Sequence, residues 1–185
     1  SAHLGGIRGD AASGTLIVMD AKTGEIYALA SKPDFNPNNY RQANSRLWHP
    51  RWLDPYEPGS TFKLITIASG LEEGVITLDT KLLPLNQIVI GSRQIQNSHQ
   101  INWPGKEISV SFALEQSVNT AMVQIGQKLG EERFYRRIKA FGFGSRVGLG
   151  LAGESKGILR DWHNWYKSDL GMMTFGQSIA VTPWQ

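Results

Sequence analysis

An α+β domain, an antiparallel sheet with flanking helices, is predicted by three features of this 185-residue chain. The first is a hairpin. Residues 15–20 form a continuous apolar run, Ala21-Lys22-Thr23-Gly24 reads as a turn, and residues 25–30 alternate as a returning strand. The second is a change of period after residue 60, where Phe62, Ile65, Ile67, Ala68 and Leu71 recur at helical steps. The third is the helical character of the later chain, strands first and helices after, with no regular β-α alternation.

Taken in order, Gly5, Gly6, Gly9 and their small neighbours make residues 1–13 a flexible lead-in. Residues 15–20 read as a buried strand, and Gly24 supplies a positive φ for the turn. From Pro33 to Pro58 the chain is irregular, with Trp48 and Trp52 expected to pin it to the body. The helix from Ser60 closes at Gly74. Residues 76–106 read as loop and short strand. A helix begins near Ser109 and carries Phe112, Ala113 and Leu114. A second covers 121–129 and stops at Gly130, a charged one covers 131–140, and a short one covers 170–179. All of residues 1–185 are assigned to one domain.

Composition excludes several chemistries. The chain has no cysteine, so disulfides and thiol nucleophiles are ruled out. His3, His49, His99 and His163 lack zinc-ligand spacing, and neither a metal nor an organic cofactor is expected. The net charge of +3 is scattered, apart from Arg133, Arg136, Arg137 and Lys139 on one helix, read as a solvent face; no nucleic-acid partner is expected. No 18-residue apolar run is present, and residues 1–13 lack a signal-peptide layout. Asp54, Glu57, Asp161 and Asp169 show no acid/base pairing in their spacing, and Glu72 and Glu73 read as a solvated helix face. Trp103, Trp162 and Trp165 are assigned to packing rather than to a substrate groove. Gly148, Gly150 and Gly153 make no phosphate loop, because no Gly-Lys-Ser/Thr follows.

The chemistry-bearing segment is Glu57-Pro58-Gly59-Ser60-Thr61-Phe62-Lys63. Pro58-Gly59 makes a sharp entry that places Ser60 in the first helical turn, near unpaired N–H groups and the positive helix end. Lys63 follows one turn later on the same face. An amine there can take the serine proton, provided that burial or a nearby cation lowers its pKa. Alone, Ser-x-x-Lys is equally a helix cap followed by a solvated lysine. Ser117-Val118-Asn119 changes that balance. Ser117 can relay a proton to a leaving amine, and Asn119 can hold a substrate carbonyl and the Lys63 amine. Helix capping is the plain alternative for this motif too.

In this order the motifs resemble those of class B penicillin-binding proteins, the monofunctional peptidoglycan transpeptidases. The resemblance covers nearly the whole chain. It runs through the hairpin Gly14 to Ser31, the box Tyr56-Glu57-Pro58-Gly59-Ser60-Thr61-Phe62-Lys63, and Ser117-Val118-Asn119-Thr120-Ala121-Met122. It continues through Phe141-Gly142-Phe143-Gly144 with Gly153-Glu154, and the stretch Thr174 to Pro183 that contains Phe175-Gly176-Gln177. Ser178 stands where that family more often has glycine, read as a minor variation. The family's third motif, Lys-Thr-Gly or Lys-Ser-Gly, is not found; Lys167-Ser168-Asp169 lacks the glycine and precedes the Phe-Gly-Gln segment.

The resemblance implies a penicillin-binding transpeptidase fold, incomplete in these residues. It implies a serine D,D-transpeptidase of cell-wall synthesis with Ser60, Lys63 and Ser117 as catalytic residues and Asn119 as substrate-binding residue. Stem peptides ending in D-Ala-D-Ala and beta-lactam antibiotics are the implied ligands, and other cell-wall synthesis proteins the implied partners. The implied location is the outer face of the bacterial cytoplasmic membrane, reached through an anchor outside this chain. Because the family's oxyanion hole draws one N–H from a strand at the third motif, the fragment itself is expected to be inactive. An exposed sheet edge, or a second polypeptide, is expected at the hairpin, with Ser60 facing a half-open cleft. A beta-lactam sensor or non-catalytic penicillin-binding module is the alternative. A serine beta-lactamase is disfavoured, since no glutamate is placed by motif to activate water.

Overall fold

The structure is a computed structural model that describes residues 13–48, 50–148, 150 and 152–185. Nearly all of the predicted lead-in, with His3, and also His49, lies outside the described residues. Strands β1 (Gly14–Met19) and β2 (Ile26–Lys32) form the antiparallel hairpin. Its turn is closed by the Asp20 carboxylate, which accepts the N–H groups of Lys22 and Thr23 at 2.8 Å each, and by Gly24 at φ 74°.

The hairpin is not the buried element that its apolar run predicts. Leu16 and Val18, on one face of β1, are 46% and 43% exposed, and Tyr27 and Leu29 of β2 are exposed as well. Apolarity on both faces suits a strand packed on two sides. Among the described residues this sheet has two strands, with a 3-10 turn at Arg51–Leu53 packed on β1. The irregular stretch before Pro58 contains that turn and two others, Pro37–Gln42 and Ser45–Leu47. Trp52 fastens it as expected, packing on Trp184 with ring centres 5.7 Å apart. Trp48 does not; it meets Tyr40 of the same stretch edge-on and stays half exposed.

Beyond Pro58 the helices dominate. α1 (Lys63–Glu72) is followed by the short strands β3 (Lys81–Leu82), β4 (Gln87–Ile90), β5 (Arg93–Gln96) and β6 (Ile108–Ser109). β4 pairs with β5 and β3 with β6, each antiparallel. Then come α2 (Val110–Glu115), α3 (Asn119–Leu129), α4 (Glu131–Ala140) and α5 (Asp169–Met173). Ser109 caps α2 by accepting the Phe112 N–H at 3.1 Å, so the predicted start is observed with its physical cause. Gly74 (φ 65°) and Gly130 (φ 76°) end α1 and α3 at the expected places. α5 is shorter than the predicted 170–179, because Gly176 (φ 77°) and Ser178 (φ 58°) turn the chain out of helical geometry.

α3 is the axis of the core. Ala121, Met122, Val123, Ile125 and Leu129 are all completely buried, and α1, α2, α4 and α5 pack around them. α4 turns Phe134 and Ile138 inward at i,i+4 spacing. Arg137 does not lie on the solvent face predicted for it. Its Nε donates to Glu73 Oε1 at 2.5 Å, tying α4 to the end of α1. Glu73 is therefore a half-buried ion-pair partner and not part of a solvated face.

The approach of α3 to the chain after α5 is close enough to invert a helix-propensity rule. Exposed glycine-to-alanine changes in helices stabilise by about 1 kcal/mol. At Gly126 an added Cβ would overlap Thr174 Cγ2, and Thr174 is completely buried with its hydroxyl bonded to Gly171 O at 2.6 Å. Gly126→Ala is therefore expected to destabilise the domain by about 1–3 kcal/mol through overpacking. A lowered urea midpoint with unchanged slope would agree; a raised midpoint would show that Thr174 yields freely.

Candidate active site

Ser60 sits in a 3-10 turn, Gly59–Phe62, that leads directly into α1. The sequence predicts one continuous helix from Ser60. The tighter turn arises from Pro58 and from Gly59 at φ 60°, a conformation open to glycine. The Lys63 N–H donates to the Ser60 carbonyl across this turn. In a 3-10 turn residues i and i+3 eclipse, so Lys63 stands on the same side of the axis as Ser60. Ser60 is exposed, whereas Lys63 is 1% exposed.

Three contacts hold the serine turn in place from the other end of the chain. Gly59 N donates to Gly176 O at 3.0 Å. Ser178 N donates to Glu57 Oε1 at 2.9 Å. Tyr56 and Val181 exchange both backbone hydrogen bonds at 2.9 Å. Gly176 packs directly on Gly59: a Cβ there would lie 2.6 Å from Gly59 N. Ser178 takes a left-handed backbone with φ 58°, which explains why glycine suits that position. Behind the turn, the buried Thr66 hydroxyl donates to Thr174 O at 2.8 Å. Glu57, Thr66 and Gly176 were not singled out as functional from sequence. The legible signal was the Phe-Gly-Gln segment itself, but not its partner.

Lys63 Nζ donates to Ser117 O at 2.5 Å and to Ser117 Oγ at 2.8 Å. Burial lowers its pKa from 10.5 to about 8, since removing an ammonium from water disfavours the charged form. Ser117 occupies the α2–α3 loop at φ 51°, a left-handed conformation uncommon for a non-glycine residue. Val118 beside it is completely buried and donates its N–H to Ala113 O at 2.8 Å, which fixes the loop.

The capping alternative for Ser117-Val118-Asn119 fails on geometry. The N-cap of α3 is Val118, which makes no side-chain cap bond. The cap comes instead from Asn97, whose Oδ1 accepts the Thr120 N–H at 3.2 Å. The side chains of Ser117 and Asn119 are thereby free for other partners. Asn119 does not take the Lys63 amine as expected; its Nδ2 donates to Gln96 O at 2.9 Å. The structure thus joins Lys63 to Ser117, seats Ser60 one turn before Lys63, and sets Asn119 at the edge of the β4–β5 hairpin. Asp169 is structural, accepting from Arg160 Nη2 at 2.6 Å.

An exposed serine at a helix entry, a buried lysine one turn on and a serine-asparagine loop fit the Ser–Lys class of acyl-transferring proteins. Residues 14–185 match the penicillin binding protein transpeptidase domain, and the chain belongs to that family. It is 34% identical to the stage V sporulation protein D of Bacillus subtilis over 91% of this chain and 26% of that protein. It is 32% identical to the penicillin-binding protein PbpB of Mycolicibacterium smegmatis over 90% of this chain and 26% of that one. A solved peptidoglycan synthetase from Bifidobacterium adolescentis superposes with a TM-score of 0.79 at 28% identity, over 94% of this chain and 31% of that one. The chain spans about a quarter of the length of these curated relatives. Among the described residues no helix is long and apolar enough to cross a membrane.

The Lys63 shift has a thermodynamic signature. Between pH 8 and 10.5 the unfolded chain holds the Lys63 proton and the folded chain has released it. Stability therefore rises with pH across that window and falls as pH drops through about 8. Lys63→Met is expected to remove this component of the pH dependence. Denaturation curves at several pH values check it; an identical slope in both proteins would mean that the lysine titrates normally.

Proposed function

We propose that this chain carries the nucleophile and the proton-transfer residues of a serine D,D-transpeptidase that cross-links peptidoglycan stem peptides. The observation that supports it most is the buried Lys63 amine, with its depressed pKa and its bond to Ser117 Oγ, one turn from the exposed Ser60. The relatives' names point to the same reaction: they include peptidoglycan D,D-transpeptidases from Neisseria gonorrhoeae and Escherichia coli.

In this reading neutral Lys63 accepts the Ser60 proton as Oγ attacks the penultimate D-Ala carbonyl of a stem peptide. The new Oγ–C bond forms, the C–N bond to the terminal D-Ala breaks, and Ser117 passes the proton to the departing amine. An amine of a neighbouring stem then attacks the ester, and Ser60 recovers its proton. Asn119 orients the peptide. The Ser60 N–H at the positive end of α1 stabilises the developing oxyanion. Beta-lactams acylate the same oxygen. Work at the outer face of the cytoplasmic membrane, through an anchoring segment, and contact with other cell-wall synthesis proteins belong to this reading.

The test is acylation by a labelled penicillin in the protein at its full natural length, followed by peptide mass spectrometry. The label is expected on Ser60; a label on Ser117 would overturn the assignment. Lys63→Ala is expected to slow acylation by roughly 10²–10⁴-fold while the domain stays folded. Ser117→Ala and Asn119→Ala are expected to slow it as well. The wild-type rate is expected to rise with pH towards about 8, where Lys63 loses its proton. Persistent acylation without turnover of stem peptides would favour the sensor alternative.

Gly176→Ala offers a separate check. It removes no reacting group but drives a Cβ against Gly59. The acylation rate is expected to fall roughly 10²-fold, the scale of a 1 Å misplacement, while the Lys63 pKa stays near 8. An unchanged rate would show that the serine turn is not held by this contact.

A further inference from the structure

Beside the second motif lies an open cleft of about 630 Å³ between the β4–β5 hairpin and the segment that follows it. It is lined by the amides of Asn86, Gln87, Gln96, Asn97 and Gln100 together with His99, Ile101 and Trp103. No lysine, arginine, aspartate or glutamate lines it. Such a wall offers neutral donors and acceptors in pairs, because every amide side chain presents both. Apart from His99 it holds no titratable side chain that would select a charged ligand.

Two features hold this surface in place. Trp103 is held in one orientation by its Nε1–H, which donates to Asn86 Oδ1 at 3.0 Å, and by packing of its buried part on the core. Among the described residues it stacks on no other ring, so its cleft side has no aromatic partner. The cleft also touches the catalytic loop directly. Gln96 O accepts from Asn119 Nδ2, and Asn97 Oδ1 accepts from Thr120 N. Asn97 is consumed by that role, whereas the side chains of Gln96 and Gln100 are exposed and make no hydrogen bond among the described residues.

An oriented indole together with uncharged amides matches the chemistry of a sugar: an apolar ring face for the indole, and hydroxyl and acetamido groups for the amides. We propose that this cleft binds an N-acetylated sugar unit of the glycan strand whose stem peptide reaches Ser60. The proposal rests on the transpeptidase reading, for it names the part of that substrate that sits beyond Asn119. The volume lies within the usual range for a small-ligand site. Trp103, for which packing is preferred over a substrate groove on sequence grounds, then has both uses, packing on its inner side and binding on its outer side.

The probe is N,N′-diacetylchitobiose, titrated into the full-length protein and followed by tryptophan fluorescence and saturation-transfer NMR. Saturable binding is expected, with the acetamido methyl protons receiving transfer. Gln96→Ala/Gln100→Ala removes only exposed side chains and is expected to weaken binding at least about fivefold, the scale of one lost hydrogen bond. Trp103→Ala is expected to abolish it. Both variants are expected to keep the wild-type rate of Ser60 acylation by penicillin, because a beta-lactam carries no sugar. Undiminished sugar binding in the double variant would overturn the proposal. So would cleft shifts caused by a free stem pentapeptide and not by the disaccharide, which would make the cleft a peptide subsite. Loss of acylation in the wild-type protein would instead overturn the transpeptidase reading, so the two failures are distinguishable.

Discussion

The buried amine of Lys63 is the constraint on which the rest of the site depends. An ammonium with 1% exposure is costly unless it is hydrogen-bonded, and both of its bonds go to one residue, Ser117. To offer carbonyl and hydroxyl together, Ser117 adopts φ 51°. That conformation persists because its neighbour Val118 is locked in the core and bonded to the end of α2. Burial of the ammonium is what lowers the pKa, so the cost in stability and the greater share of neutral amine near pH 8 have one origin.

A second constraint sets the serine. The turn at Gly59 would be free to move if it were held only by α1. It is clamped by the segment after α5, through the Gly176 carbonyl, the Glu57–Ser178 bond and the Tyr56–Val181 bridge. The two residues meet because Gly176 carries no Cβ, which would otherwise overlap the Gly59 backbone. α3 links the two constraints: its first turn lies beside Ser117, and its middle packs against Thr174 of the clamping segment. Movement of either side of the site is therefore opposed by the same buried helix.

Much of this was legible. The start of α2 at Ser109, the end of α3 at Gly130 and the span of α4 follow from local signals, whereas α3 begins two residues before the predicted 121. The order of Ser60, Lys63, Ser117 and Asn119 points to two segments that the fold brings together, the turn entering α1 and the start of α3. The burial of β1 was misjudged, because an apolar run says what a strand prefers to pack against and not what packs on it. The roles of Arg137 and Glu73 were misjudged for the same reason: spacing along one helix does not reveal a carboxylate arriving from another.

Sequence alone determined most of the elements, the Ser60–Lys63 spacing and the family resemblance, because each is written in residues close together in the chain. Tertiary structure decided what those residues bond to. It turned Lys63 towards Ser117, gave Asn119 to Gln96, supplied the α3 cap from Asn97, and set Gly176 against Gly59. These partners are 23 to 117 residues apart, and no local periodicity encodes a contact across that separation.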